Sequence, residues 1–250
     1  MTLGLAEASA GVVLVAAALS PHFRVVCPDV VGRGKSGRLL DPSAYALPQY
    51  VADMVTLIAR LNVDSVHWVG TSMGGLIGMF LASMSSTPVR RLLLNDVGPT
   101  ITTTSLARIG DYLGSDPTWA TFDEALAYCK LICAPFGALT ETQWQHLTEH
   151  SVSQRPDGRW GFLYDPAIAA PFKQAFAGPE IDLWPVYERI NCPTLVTRGA
   201  LSDLLTQETW QNMALRGPRA KLAEIAGVGH APMFLSDDQI SIALDFLLAS

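Results

Sequence analysis

One serine of the sequence stands in a setting that would make it a nucleophile. The stretch GTSMGGLIG begins at residue 70, follows a short apolar run and places Ser72 between Gly70 and Gly74. A strand that turns sharply into a helix needs very small residues beside the turn, and such a turn holds its serine strained and exposed at the helix N-terminus. The alternative is a glycine-rich turn whose serine only caps the helix. The spacing predicts a nucleophile at Ser72.

A serine hydroxyl is a poor nucleophile at neutral pH, so a histidine must accept its proton and a carboxylate must orient that histidine. His230 is the best of the five histidines because it stands in a glycine-rich loop, AGVGHAPMF, just after the last predicted strand. Active sites of open parallel sheets lie at such carboxyl ends. Two acids compete for the third place, Asp203 in TRGALSDLL and Asp96 in LLLNDVG. We favour Asp203, since an acid and a histidine that follow the last two strands match the chain order described for this chemistry.

The stretch CPDVVGRGKSG, residues 27–37, suggests a nucleotide site because Gly-Lys-Ser ends a phosphate-binding loop. Such a loop needs a further glycine at position 29 and a helix that begins at once. Position 29 is Asp29, whose carboxylate repels phosphate, and Gly37, Pro42 and Pro48 interrupt a helix. The pattern argues against a nucleotide and leaves the turn to be explained.

Five short segments rich in branched and aromatic residues predict buried strands of a parallel sheet. They are residues 23–28, 65–70, 89–95, 193–199 and 220–225. Helical patterns alternate with them, at residues 47–62, 73–84, 205–217 and 236–250, the last with Ser236 as its N-cap. The alternation predicts an α/β fold, with a mostly parallel, doubly wound sheet and helices on both faces.

The alternation stops for about a hundred residues after the third predicted strand, which is too long for a simple loop. Helical patterns at residues 121–133 and 140–152 lie in this stretch, followed by aromatic segments. Because it interrupts one sheet, we predict a helical cap, or lid, at residues 96–191. The core is then formed by residues 1–95 and 192–250.

Composition and charge limit the partners. Of 250 residues, 49% are hydrophobic and 16% are charged, which suits one large core. The net charge is −6 and the 17 lysines and arginines are scattered, so we expect no nucleic-acid partner. We also expect no membrane partner, because no apolar stretch has the length and flanks of a span. The run GVVLVAAALS resembles part of a signal peptide, but no basic residue precedes it and Glu7 does.

Four cysteines indicate the compartment weakly. Cys27, Cys129, Cys133 and Cys192 lack the spacing of a metal site. We expect buried reduced thiols, no bound metal and a cytoplasmic location.

Four motifs together resemble the α/β-hydrolase superfamily, in particular its bacterial esterases and related lactone and carbon–carbon bond hydrolases. They are DVVGRGKSG, GTSMGG, RGALSD and GVGHAP, and the likeness covers residues from about 17 to 250. The resemblance implies a catalytic triad of Ser72, Asp203 and His230. It also implies that the backbone N–H of Met73 supplies half of an oxyanion hole.

The same resemblance makes the Gly-x-Gly-x-Ser turn at residues 32–36 a structural loop beside the active-site mouth, which binds no nucleotide. One departure stands out, because the family usually carries a His-Gly segment that completes the oxyanion hole, and no His-Gly pair precedes residue 23. The segment AGVVLVA lies too close to the next strand for a parallel crossover, so VVLVAAALS is predicted as a helix. We expect an N-terminus that is truncated or rearranged, and losing one oxyanion donor costs on the order of a hundredfold to a thousandfold in rate.

The predicted function is a serine hydrolase that cleaves a small carboxylic ester through an acyl-enzyme on Ser72, with no cofactor. Candidate substrate-binding residues are Trp144, Trp160 and Phe136. One alternative is an enol-lactone or ring-cleavage-product hydrolase, and another is a catalytically impaired binding relative. The lactone alternative wants a basic residue near the pocket, for which the candidates are Arg108, Arg155, Arg159 and Lys173. The expected partner is a small ester or lactone, and a homodimer is compatible with the sequence.

Overall fold

The computed structural model describes residues 2–6, 10–171 and 180–249. Its strands, in chain order, are β1 (Thr2–Ala6), β2 (Arg24–Val26), β3 (Val66–Thr71), β4 (Val89–Asn95), β5 (Thr100–Ile101), β6 (Thr118–Trp119), β7 (Val152–Gln154), β8 (Trp160–Phe162), β9 (Ile181–Asp182), β10 (Thr194–Gly199) and β11 (Lys221–Ile225). Its helices are α1 (Ala10–Leu19), α2 (Leu47–Arg60), α3 (Met73–Ala82), α4 (Thr103–Tyr112), α5 (Phe122–Ile132), α6 (Glu141–Glu149), α7 (Trp184–Tyr187), α8 (Gln207–Met213) and α9 (Asp237–Leu248).

A six-stranded parallel sheet forms the centre of the fold, in the order β2-β1-β3-β4-β10-β11. Five of its strands are those predicted from the sequence. All of their carboxyl ends lie at one edge of the sheet, so the loops that follow β3, β4, β10 and β11 meet there.

Apolar side chains cover both faces of this sheet. Leu92 and Leu94 of β4 pack into one hydrophobic cluster with α2 and α3, whereas Leu93 packs into another with α1 and α9. Successive residues of a strand point to opposite faces, so one run of leucines serves both layers. The predicted helices on both faces are confirmed.

The insertion lies between β4 and β10, which are neighbours in the sheet. It contains α5 and α6, where helices were predicted, and also two small antiparallel sheets, β5-β9 and β6-β8-β7. The described insertion is therefore mixed rather than wholly helical, and the division into core and lid remains a prediction.

The N-terminal region differs from the expectation. The helix predicted within residues 12–20 is present as α1, but β1 was not predicted, and it fills the sheet position between β2 and β3. The chain crosses from β1 to β2 through α1, so the parallel connection has the helix that it needs. The expectation that no segment completes the oxyanion hole concerns the chain that follows β1, and residues 7–9 there lie outside the described residues.

The cysteines and the helices bear on two further expectations. All four cysteines are free, but only Cys129 is buried as expected, whereas Cys133 and Cys192 are half-buried and Cys27 is exposed. Among the described helices, none combines the length and apolar character needed to cross a membrane.

His67 is a buried histidine within the sheet, and it generates a prediction about stability. It is 2% exposed, and burial, with Arg91 nearby, lowers its pKa from 6.5 to about 4. Between about pH 6.5 and pH 4, His67 is protonated in the unfolded chain but neutral in the folded chain. Its contribution to stability is therefore complete above about pH 6.5 and is lost as the pH falls toward 4. We expect His67→Phe to remove about 2–3 kcal/mol of the loss in unfolding free energy between pH 7.5 and pH 4.5.

Urea unfolding of wild type and variant at both pH values measures this difference. The exposed His22→Phe is the matched control, and we expect its pH dependence to follow that of the wild type. A His67→Phe protein that loses as much stability as the wild type would contradict the prediction.

Candidate active site

The turn between β3 and α3 holds Ser72 in a strained conformation. Its φ is 50° and its ψ is −117°, in the region that side chains rarely adopt. Gly70 makes the turn feasible, because a Cβ there would meet the carbonyl group of Gly74. The indole of Trp68 donates a hydrogen bond of 3.0 Å to the same carbonyl oxygen, which fixes the start of α3 against β3. The strain predicted from the glycine spacing is present, but Ser72 is half-buried rather than exposed.

The loop after β11 brings His230 to this serine. His230 Nε2 lies 3.1 Å from Ser72 Oγ, although the two residues are 158 positions apart in the chain. The histidine side chain is only 10% exposed. A histidine at this distance can accept the serine proton directly.

The acid beside His230 is Asp96, at the carboxyl end of β4. His230 Nδ1 lies 2.7 Å from Asp96 Oδ2, and the Asp96 side chain is fully buried. Asp96 also accepts a 2.7 Å hydrogen bond from the Ser202 hydroxyl and a 2.9 Å bond from the Gly199 N–H. A buried carboxylate is costly unless donors surround it, and these three donors compensate its desolvation.

The Ser202 hydroxyl has a defined direction. Its oxygen accepts from the N–H groups of Leu204 and Leu205, at 3.3 Å and 3.2 Å. Its single proton is therefore left for Asp96. The loop after β10 thus supplies a fixed donor to the buried acid.

Asn95 ties the site to the sheet. It is fully buried, its amide nitrogen donates to Thr71 Oγ1 at 3.0 Å and to the Pro232 carbonyl at 2.7 Å, and its amide oxygen accepts from Thr197 Oγ1 at 2.7 Å. These bonds join β3, β4, β10 and the loop that carries His230. The residue before the acid therefore fixes the position of the histidine loop.

The prediction that Asp203 orients His230 is wrong in this structure. Asp203 is about half exposed and its carboxylate forms a two-bond ion pair with Arg108 of α4, at 2.5 Å and 2.9 Å. Asp203 is one residue beyond Ser202, and that single step places its side chain toward the insertion instead of the buried site. The competing acid of the sequence, Asp96, is the one that contacts the histidine.

Met73 occupies the place predicted for an oxyanion donor. It is the first residue of α3, directly after Ser72, and N–H groups of a first helical turn have no acceptor within their helix. Its sulfur also accepts a contact of 3.4 Å from Arg33 Nη2.

A cavity of about 830 Å³ lies between the insertion and the core. Of the three candidate substrate-binding residues, Phe136 lines it, but Trp144 and Trp160 are not among its described lining residues. Trp144 packs beside Leu147 and Met233, and Trp160 packs on the ring of Phe122. Pro135, next to Phe136, accepts a 2.7 Å hydrogen bond from the Gly229 N–H, so this wall of the cavity touches the histidine loop.

The basic residues considered for the insertion are engaged elsewhere. Arg108 pairs with Asp203, Arg155 pairs with Asp116, and Arg159 donates to Thr118. Lys173 lies outside the described residues.

Comparison with known proteins places this geometry in context. A family model described as the alpha/beta hydrolase family matches residues 7–241. The 3-hydroxybutyrate-oligomer hydrolase of Cupriavidus necator is 52% identical over 239 residues, which are 93% of this chain and 82% of the relative. The crystal structure of an alpha/beta hydrolase from Novosphingobium aromaticivorans has a TM-score of 0.89 and 31% identity, and covers 99% of this chain and 88% of its own. An E-2-(acetamidomethylene)succinate hydrolase, 20% identical, has the same fold, with a TM-score of 0.85, and covers 100% of this chain and 91% of its own.

The tight turn at Ser72 generates a prediction about stability. We expect Gly70→Ala to lower the free energy of unfolding by at least about 2 kcal/mol, because the new methyl group meets backbone that cannot rotate away. Gly37→Ala is the matched control, since nothing lies within 4 Å of a Cβ there and we expect its unfolding free energy to change by less than about 0.5 kcal/mol. Denaturant unfolding compares the two variants, and equal stabilities would contradict the close approach of β3 to α3.

Proposed function

The chain belongs to the alpha/beta hydrolase family, and we propose that it is a serine hydrolase in which Ser72, His230 and Asp96 cleave a carboxylic ester. Family membership also confirms the predicted α/β-hydrolase fold. One observation carries the proposal: the His230 ring lies between the Ser72 hydroxyl, 3.1 Å away, and the buried Asp96 carboxylate, 2.7 Å away. This is the geometry that an activated serine requires.

Acylation begins with transfer of a proton. His230 Nε2 accepts the hydroxyl proton as Ser72 Oγ attacks the ester carbonyl carbon, and the resulting tetrahedral centre carries the negative charge on the former carbonyl oxygen. The bond from carbon to the leaving oxygen then breaks, and the proton on Nε2 passes to the leaving alcohol. The product of this half-reaction is an ester of Ser72 and a free alcohol.

Asp96 fixes the tautomer of His230. With the Nδ1 proton donated to Asp96, the lone pair of Nε2 points to Ser72, and the carboxylate stabilises the positive ring formed during transfer. The hydrogen bonds from Ser202 and Gly199 hold the carboxylate in place, so it need not reorganise during the reaction.

Charge on the tetrahedral oxygen needs a donor of its own. We assign the N–H of Met73 to this role because it directly follows the nucleophile and begins α3, whose N-terminus favours negative charge. In the second half-reaction, His230 activates a water molecule that attacks the acyl carbon, and Ser72 regains its proton as the acid leaves.

The relative from Cupriavidus necator suggests the substrate class. Its name describes hydrolysis of oligomers of 3-hydroxybutyrate, which are linear esters of a short hydroxy acid. We propose the same class, short oligoesters of hydroxy acids, for this chain. A serine rather than a carboxylate at position 72 argues against epoxide hydrolysis and dehalogenation. The cytoplasmic location and the homodimer remain predictions.

Chemical labelling tests the nucleophile. We expect a serine-directed phosphonate to add one label per chain at Ser72, because a general base lies 3.1 Å from its hydroxyl. The label should be absent from Ser72→Ala and lost in His230→Ala, as measured by intact and peptide mass spectrometry. Undiminished labelling of His230→Ala would remove the histidine from its role, and an unlabelled wild type would favour a binding relative.

Two matched substitutions identify the acid. We expect Asp96→Asn to lower kcat for a short-chain ester by about 10⁴-fold, since the amide favours the wrong histidine tautomer. Asp203→Asn should lower kcat by less than about tenfold, because it breaks only an exposed ion pair with Arg108. Steady-state kinetics of both variants distinguish the assignments, and the reverse order of losses would return the role to Asp203.

A further inference from the structure

We propose that Arg33 binds a carboxylate of the substrate, so that the enzyme prefers esters bearing a free carboxylate close to the scissile bond. This inference rests on the proposed function and specifies its substrate. It begins from the turn that the sequence first suggested as a nucleotide site, CPDVVGRGKSG, whose arginine no other step of the mechanism uses.

The loop that carries Arg33 is held firmly. The Gly34 N–H donates to the Leu163 carbonyl at 2.7 Å, and the Gly32 carbonyl accepts from the Asp165 N–H at 2.7 Å. Asp29 closes the loop from within, because its carboxylate accepts a 2.8 Å hydrogen bond from the Lys35 N–H. Arg33 is therefore fixed between the core and the insertion before any ligand arrives.

The guanidinium group contacts the residue that follows Ser72. It lies over the ring of the buried Tyr50, with its central carbon 5.5 Å from the ring centroid. Its Nη2 is 3.4 Å from the sulfur of Met73, the residue that directly follows Ser72. The same side chain lines the 830 Å³ cavity.

Part of this cation lacks a partner. Arg33 Nη1 is buried and has no hydrogen-bond acceptor, and Arg33 forms no ion pair within 4 Å among the residues that the structure describes. Among the described residues, the acceptor near Nη2 is the thioether of Met73, which is a weak acceptor. Asp29 and Glu149 also line the cavity, but neither is within ion-pair distance of Arg33.

A buried N–H of a charged group without an acceptor raises the free energy of the folded protein, and a ligand that accepts a hydrogen bond from it offsets this desolvation penalty. Other arginines of the chain have carboxylate partners: Arg108 with Asp203, Arg198 with Glu224, and Arg216 with Glu188. A planar guanidinium recognises a carboxylate with two parallel hydrogen bonds, which Nη1 and Nη2 can supply together. Arg33 is thus a preformed site for a carboxylate that comes with the substrate.

The position also fits the chemistry of the proposed substrate. In a dimer of a β-hydroxy acid, the free carboxylate is only a few bonds from the ester oxygen that leaves. Arg33 contacts the Met73 side chain, and Met73 directly follows Ser72 in the chain. A carboxylate bound to Arg33 would therefore keep the scissile carbonyl near the serine. A neutral ester of equal size lacks this anchor.

The test compares two substrates that differ only in charge, the linear dimer of 3-hydroxybutyrate and its methyl ester. We expect the wild type to prefer the dimer, and we expect Arg33→Gln to lower the ratio of the two kcat/KM values by about thirtyfold, mainly through KM for the dimer. The ratio is taken on one preparation, so partial unfolding of the variant does not alter it. Arg33→Lys keeps the charge without the fork and should restore part of the ratio.

The matched control is Arg38→Gln, which removes the same charge from an exposed position of the same loop that does not line the cavity. Its ratio should stay within about threefold of the wild type, because an exposed charge is screened by solvent. A thirtyfold fall of the ratio in Arg38→Gln, or an unchanged ratio in Arg33→Gln, would overturn the assignment.

Binding separates this inference from the proposed function. In Ser72→Ala, calorimetry should show that the dimer binds at least about tenfold more tightly than its methyl ester. Arg33→Gln in the same background should abolish this difference in affinity. A wild type that hydrolyses neither ester would reject the proposed function while the binding comparison still stands. Equal affinities for dimer and methyl ester in Ser72→Ala would overturn the role of Arg33.

Discussion

The proposed active site depends on one buried charge, the carboxylate of Asp96. A fully buried carboxylate is tolerated only where donors replace water, and the donors here come from the end of β10, from the loop after it and from the histidine loop. Asn95, one residue earlier, is hydrogen-bonded to β3, to β10 and to the histidine loop. β4 lies between β3 and β10, with Asn95 opposite Thr71 on one side and Thr197 on the other. Asn95 and Asp96, at the end of β4, therefore contact β3, β10, the loop after β10 and the histidine loop.

The insertion is connected to this centre at several points. The Arg108–Asp203 pair joins α4 to the loop after β10, Pro135 bonds to the histidine loop, and the loop of Arg33 bonds to the chain after β8. A cavity lies between the insertion and the core, and Arg33 is the one arginine among its described lining residues and retains a buried N–H without an acceptor. In this arrangement the core supplies the chemistry that we propose, and the boundary between core and insertion supplies the selectivity that we infer.

The sequence predicts the parts of this account that depend on local pattern. Five strands follow from short runs of branched residues, and Ser72 and His230 follow from glycine spacing and from their position after strands. The choice between Asp96 and Asp203 does not follow from local pattern. It depends on whether Ser202 or Asp203 of the loop after β10 points toward the buried site, and it is Ser202 that does so. A signal that favours Asp96 was present, since it directly follows the end of β4, where three leucines precede Asn95. β1 was missed because five residues with a central glycine carry little pattern, and the role of Arg33 depends on packing against Tyr50 and Met73 that no spacing reveals.

The central claim is that Asp96, and no other acid, holds the Nδ1 proton of His230. Proton NMR of the wild type should show a far-downfield imidazole N–H resonance, because a ring proton bonded to a buried carboxylate is strongly deshielded and protected from exchange. Selective ¹⁵N-histidine labelling assigns the resonance to His230 by its loss in His230→Ala. The account predicts that the resonance persists in Asp203→Asn and disappears or moves far upfield in Asp96→Asn. A resonance that survives in Asp96→Asn and is lost in Asp203→Asn would contradict it.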